Sequence, residues 1–96
     1  MDVTIQSLHF TLSKALEDFI REKLSRLEHF SNRIISANVC LKTDGASDTE
    51  NKVCEIRLSV PGNDLFAKRQ CGTFEEATDQ VLDALQQQIR KTKQEH

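Results

Sequence analysis

An α+β fold of two layers, ordered β-α-β-β-β-α with both helices on one face of a four-stranded sheet, is what this sequence predicts. Three observations lead there. Two long segments, 13–30 and a second one opening at Thr73, repeat apolar residues at helical spacing; four short segments alternate polar and apolar residues; and Pro61-Gly62-Asn63-Asp64 is turn chemistry between two of those strands. Two amphipathic helices and a sheet with one apolar face are satisfied together only when both helices cover that face.

Taken in order, Val3 and Ile5 alternate with Asp2, Thr4 and Gln6 in a first strand. Ser13 stands at an N-cap position, with Glu17 and Asp18 suited to the positive end of the helix that follows. Leu12, Leu16, Phe19, Ile20, Leu24, Leu27 and Phe30 give that helix its apolar stripe. Ala37, Val39 and Leu41 alternate with Asn38, Cys40 and Lys42 in the second strand, and the polar stretch 42–51 reads as an exposed loop. Cys54, Ile56, Leu58 and Val60 form the inward face of the third strand, and the short turn makes the fourth, Leu65 to Cys71, antiparallel to it. Thr73 and Glu76 match a capping box for the last helix, whose stripe is Phe74, Ala77, Val81, Leu85 and Ile89, flanked by Leu82. The first and second strands are expected to be parallel neighbours joined by a right-handed crossover. The outer sheet face then carries mainly Asn38, Lys42, Glu55, Arg57 and Lys68, and the tail 92–96 is expected to fray.

Ninety-six residues, 38% hydrophobic and 29% charged, describe a single domain over 1–96 that can bury a core without a disulfide or metal staple. Met1 to Phe10 does not follow the basic-then-apolar pattern of a signal peptide, and no run reaches the length of a membrane span. Three cysteines make no disulfide framework. These features predict a cytoplasmic protein with no membrane partner.

A net charge of −2 conceals two basic helix segments: Arg21, Lys23 and Arg26 in the first helix, and Arg90, Lys91 and Lys93 late in the last. Strong acids are expected to concentrate elsewhere, and the fold can bring the two segments together against a polyanion, structured RNA first among them. Long cationic side chains on rigid helices suit phosphate contacts. The competing account is that cations late in a helix complement its negative end. Lys23 projects near the centre of the stripe of Phe19, Ile20 and Leu27, so it either snorkels past apolar neighbours or emerges in the groove between the helices.

Other chemistry has little support. Cys40, Cys54 and Cys71 include no C-x-x-C pair, and His9, His29 and His96 have no metal or triad spacing. No nucleophile elbow or glycine-rich phosphate loop is present. The sequence therefore predicts neither an enzyme nor a cofactor or small-molecule substrate. Phe10, Phe30 and Phe74 sit at helix-packing positions that favour core filling over base stacking.

Lys23-Leu24-Ser25-Arg26-Leu27-Glu28-His29-Phe30, then Val39-Cys40-Leu41-Lys42, then Ala77-Thr78-Asp79, Asp83-Ala84-Leu85 and Gln88-Ile89-Arg90-Lys91-Thr92-Lys93 together resemble the ribosome hibernation promoting factors, also called ribosome-associated inhibitors or sigma-54 modulation proteins. The resemblance covers nearly the whole chain and lies in the joint spacing of short motifs. It implies a fold similar to double-stranded RNA-binding domains. It also implies helix-borne bases that contact small-subunit ribosomal RNA in the channel used by messenger and transfer RNA. This length matches the family's short form. Lys23 and Arg26 match the bases of the first-helix motif, Lys91 and Lys93 the pair ending the last helix, and Arg90 is an additional base. The chain departs from the pattern at Ala84 and Gln87, where bases are usual, and at Glu75, where an aromatic is. Six such bases engaging about three to five phosphates predict a slope of log K against log salt of about −2 to −4. An alternative reading is a protein-interaction module working through its exposed sheet face or an edge strand, and the oligomeric state is open.

Overall fold

The computed structural model of the protein describes residues 1–46 and 48–94. In chain order its elements are β1 (Asp2–Leu8), α1 (Lys14–Phe30), β2 (Ser36–Thr43), β3 (Lys52–Val60), β4 (Asn63–Cys71) and α2 (Phe74–Gln94). This is the predicted succession. The strands form one sheet in the order β1-β2-β3-β4. β1 runs parallel to β2, from Asp2 against Ser36 to Leu8 against Lys42, and the other two pairings are antiparallel. A parallel pair needs a long crossover, and α1 supplies it.

Local chemistry sets the ends of these elements. The Ser13 hydroxyl accepts a hydrogen bond from the Leu16 amide at 3.1 Å, and the Thr73 hydroxyl accepts one from the Glu76 amide at 3.1 Å. Each cap satisfies one of the amides a helix start leaves without a partner. Val60 pairs with Asn63, which leaves Pro61 and Gly62 as a two-residue turn. Gly62 has φ 83°, the value a type II turn requires at its third position after a proline at its second.

The core lies between the helices and one face of the sheet. Ile20, Leu24 and Leu27 from α1 and Phe74, Ala77, Val81, Leu85 and Ile89 from α2 pack on Ala37, Val39, Leu41, Cys54, Ile56, Leu58, Leu65, Ala67 and Cys71. Each fully buried leucine or isoleucine among them contributes about 1.5–3 kcal/mol. Phe10 stacks on Phe74 with centroids 4.9 Å apart, so these rings fill space beside the core as the sequence predicts. Thr78 is a buried polar residue that the apolar stripe does not reveal. Its hydroxyl donates to the Phe74 carbonyl at 2.7 Å and lies 3.6 Å from the Cys54 sulfur. Burial pushes the Cys54 thiol up to about 11, against the bond from Thr78, which pulls it down.

Two boundaries differ from expectation. β2 continues through Lys42 and Thr43, which pair with Val53 and Lys52, so the loop expected over 42–51 begins at Asp44. Polar residues that alternate on an open sheet face look like loop composition in the sequence. Here the Lys42 ammonium lies 2.7 Å from the Glu55 carboxylate across the ladder. The loop is tied to the sheet: the Asp44 amide donates to the Asn51 carbonyl at 2.8 Å, and the Gln70 side chain donates to the Glu50 carbonyl at 2.6 Å. α2 runs to Gln94, so 92–94, expected as tail, have helical backbone. Residues 95 and 96 of that tail, and the side chains from Thr92 onward, lie outside the described residues.

The outer sheet face carries exposed Asn38, Arg57 and Lys68 and half-buried Lys42 and Glu55. Phe66 also lies there, 42% exposed, with the Arg57 guanidinium 5.1 Å from its ring centroid.

Candidate nucleic-acid interface

α1 and α2 lie side by side and run in the same direction. Contacts between them climb from Lys23 with Asp79 to Phe30 with Arg90. One groove results, of about 380 Å³, lined by Lys23, Arg26 and Leu27 from α1 and by Asp79, Leu82, Asp83 and Gln86 from α2.

The structure gives each predicted base a distinct setting. Lys23 resolves the choice left open by the sequence in favour of the groove. Its ammonium lies 3.3 Å from the Asp79 carboxylate and 5.3 Å from the Phe19 ring centroid, with the side chain 28% exposed. Arg26 lines the same groove and pairs with Glu22 at 3.2 Å. Arg21 pairs with Glu17 at 3.0 Å on an exposed part of α1. Both glutamates precede their arginines by one helical turn, the arrangement that best supports a helix. Arg90 lies over the Phe30 ring, 5.4 Å from its centroid, and so bridges the C-terminal halves of the two helices. Lys91 is exposed, with no ion pair among the described residues. The Lys93 side chain lies outside them.

Acids are therefore not segregated from the bases, contrary to the expectation from the sequence. All three predicted bases of α1 have a carboxylate within 3.3 Å, and Asp83 adds another negative group to the groove. The spacing Glu17/Arg21 and Glu22/Arg26 was readable in the sequence; the approach of Asp79 to Lys23 depends on helix packing and was not. Asp83 and Gln86 are groove residues that sequence reasoning missed, because one lies beyond the apolar stripe and neither belongs to a known catalytic pattern.

Cys40, Cys54 and Cys71 are free thiols, Cys40 on the outer sheet face and the other two in the core. Among the described residues no group of three or more His, Cys, Asp or Glu side chains is placed to hold a metal ion. No helix among them is long and apolar enough to cross a membrane.

Comparison with known proteins gives a consistent result. The chain is 30% identical over 94 residues to a ribosome hibernation promoting factor of Pseudomonas putida, covering 98% of this chain and 88% of that protein. It is 28% identical over 98 residues to the Escherichia coli K12 protein of the same name, covering 97% and 94%. A Deinococcus radiodurans ribosome hibernation promotion factor is 32% identical over 84 residues, and there the match spans 85% of this chain and only 44% of the longer protein. Two solved structures have the same fold. A ribosomal subunit interface protein from Coxiella burnetii superposes with a TM-score of 0.87 at 18% identity, over 97% of this chain and 98% of that one. The N-terminal domain of Thermus thermophilus Protein Y superposes with a TM-score of 0.82 at 22% identity, over 96% and 99%. The profile of one protein family matches residues 3–96, and the chain accordingly belongs to the Sigma 54 modulation protein / S30EA ribosomal protein family.

Proposed function

We propose that this protein is a ribosome hibernation factor of the cytoplasm. It lodges in the decoding channel of the small ribosomal subunit, contacts ribosomal RNA phosphates through Arg21, Lys23, Arg26, Arg90, Lys91 and Lys93, and excludes messenger and transfer RNA. The observation that supports this reading is the pairing of α1 and α2 in one direction on the face of the sheet, in a chain of this family, with Lys23 and Arg26 lining the groove between them and Arg90 over the Phe30 ring. The mechanism is occupancy. A rigid two-layer domain fills a volume that another ligand needs, and no bond is made or broken. Arginine can grip two phosphate oxygens at once, lysine acts as a point charge, and the helices hold both at fixed spacing.

The test is co-sedimentation of nucleic-acid-free protein with purified small subunits in a sucrose gradient, with and without messenger and transfer RNA. Binding that messenger and transfer RNA compete away is the expected result. Failure to co-sediment, or undiminished binding beside both RNAs, refutes the reading. One observation favours a protein-interaction module instead: Phe66, with Arg57 over its ring, is exposed on the open sheet face. That reading is supported if Phe66→Ala abolishes an association that the helix bases do not affect.

A further inference from the structure

We infer that the groove between α1 and α2 reads a nucleobase as well as a phosphate. Lys23 and Arg26 hold the phosphate of an unpaired nucleotide, while Asp83 and Gln86 accept hydrogen bonds from the amino edge of its base, so the groove prefers cytosine to uracil. The inference deepens the RNA-binding reading and rests on it.

A groove that served only to grip phosphate would gain nothing from carboxylates in its wall. This one has two. Asp79 is engaged by Lys23 at 3.3 Å. Asp83 is exposed and has no hydrogen bond or ion pair among the described residues, so its oxygens are available. An ionised carboxylate only accepts hydrogen bonds, and it repels a bare phosphate. A ligand that fits must therefore be anionic on the α1 side and carry N–H donors on the α2 side.

A nucleotide with an amino-bearing base meets both conditions. A lysine side chain of a protein partner would satisfy Asp83 but offer Lys23 and Arg26 no anion to exchange for Asp79 and Glu22. Leu27 and Leu82 add apolar surface for the ring, and a groove of about 380 Å³ falls in the size range of small-ligand pockets. Cytosine and uracil have nearly the same shape. They differ where cytosine carries an amino donor and uracil a carbonyl acceptor. A carboxylate distinguishes the two because it bonds the first and repels the second.

The test uses dye-labelled oligocytidylate and oligouridylate of equal length, read by fluorescence anisotropy at neutral pH and low salt. The wild-type protein should bind oligocytidylate about tenfold more tightly, the order of one charge-assisted hydrogen bond. In Asp83→Asn the side-chain amide both donates and accepts, so the preference should collapse toward unity. Lys23→Gln should weaken both oligomers and leave the ratio in place. Asp83 is exposed, and unchanged urea unfolding of Asp83→Asn would show that a lost preference is not a folding defect. Equal wild-type affinities, a preference that survives Asp83→Asn, or no binding of either oligomer each overturns the inference. Co-sedimentation with small subunits separates it from the reading beneath it. Ribosome binding without a cytosine preference removes only the groove site, and a cytosine preference without ribosome binding removes only the hibernation role.

Discussion

The charge arrangement on the two helices makes a quantitative prediction about salt. Consider two double variants, Arg90→Gln with Lys91→Gln and Arg21→Gln with Arg26→Gln; each removes two positive charges, so net charge cannot distinguish them. Arg90 and Lys91 have no carboxylate partner among the described residues, whereas Arg21 and Arg26 lie 3.0 and 3.2 Å from Glu17 and Glu22. Each phosphate that an unpaired base neutralises releases about 0.7 to 0.9 of a condensed cation. A base held by a carboxylate must give up that partner to take a phosphate, so fewer of its phosphate contacts form and fewer condensed cations are released. The α2 variant should therefore flatten the slope of log K against log salt by about 1.4 to 1.8. The α1 variant should flatten it by less than about 0.5 on the same reasoning. From the sequence alone all six bases count equally; on this reasoning α2 carries most of the slope. The assay is filter binding to small subunits across a potassium chloride series. Equal flattening by the two variants, or the larger effect from α1, refutes the reasoning.

Two further outcomes follow from single residues. Because the folded Cys54 thiol is pushed up to about 11, stability should be complete below the ordinary value of 9.0 and fall as pH rises toward 11, where the unfolded thiol ionises and the folded one does not. The loss is at most about 2–3 kcal/mol, and urea midpoints should show a shallower alkaline decline in Cys54→Ala; an identical decline would place its cause elsewhere. Gln87 is exposed on α2, where the resemblance noted from the sequence leads one to expect a base, so Gln87→Arg should raise affinity for small subunits about fourfold near physiological salt, as one added phosphate contact would. An unchanged affinity would mean that this part of α2 faces away from the RNA.

The order of elements and nearly all of the core were legible because periodicity reports which face of an element is buried. Ile20, Leu24, Val81 and Leu85 recur at helical spacing, Val39, Leu41, Ile56 and Leu58 alternate, and all eight are buried. Strand ends were less legible. Lys42 and Thr43 lie in the ladder, but their polarity reports the open face and says nothing about hydrogen bonding. Thr78 was missed because a threonine in a helix satisfies its hydroxyl on the carbonyl one turn back and can then be buried like a valine. For the candidate site, the positions of the bases were legible and their partners only partly so. Glu22 with Arg26 is a local spacing that sequence displays. Lys23 with Asp79 and Phe30 with Arg90 arise where two helices distant in sequence meet, and a stripe on one helix says nothing about the rotation of the other.

The two-residue turn at Pro61-Gly62 also bears on how the sheet assembles. Closing the β3–β4 hairpin fixes only those two residues between Val60 and Asn63, and the proline has already lost much of its freedom in the unfolded chain. β1 meets β2 across a far longer loop, with Asp2 opposite Ser36. The logarithmic cost of loop closure makes that second event about 2.5 kcal/mol more expensive in entropy, unless α1 has already formed and shortened the path. Nucleation is therefore favoured in the C-terminal meander. During synthesis from the N-terminus, β1 and α1 emerge first yet have no sheet to join until β2, β3 and β4 follow. The exposed apolar stripe of α1 during that interval is where a nascent chain of this kind is most open to chaperone contact or misassociation.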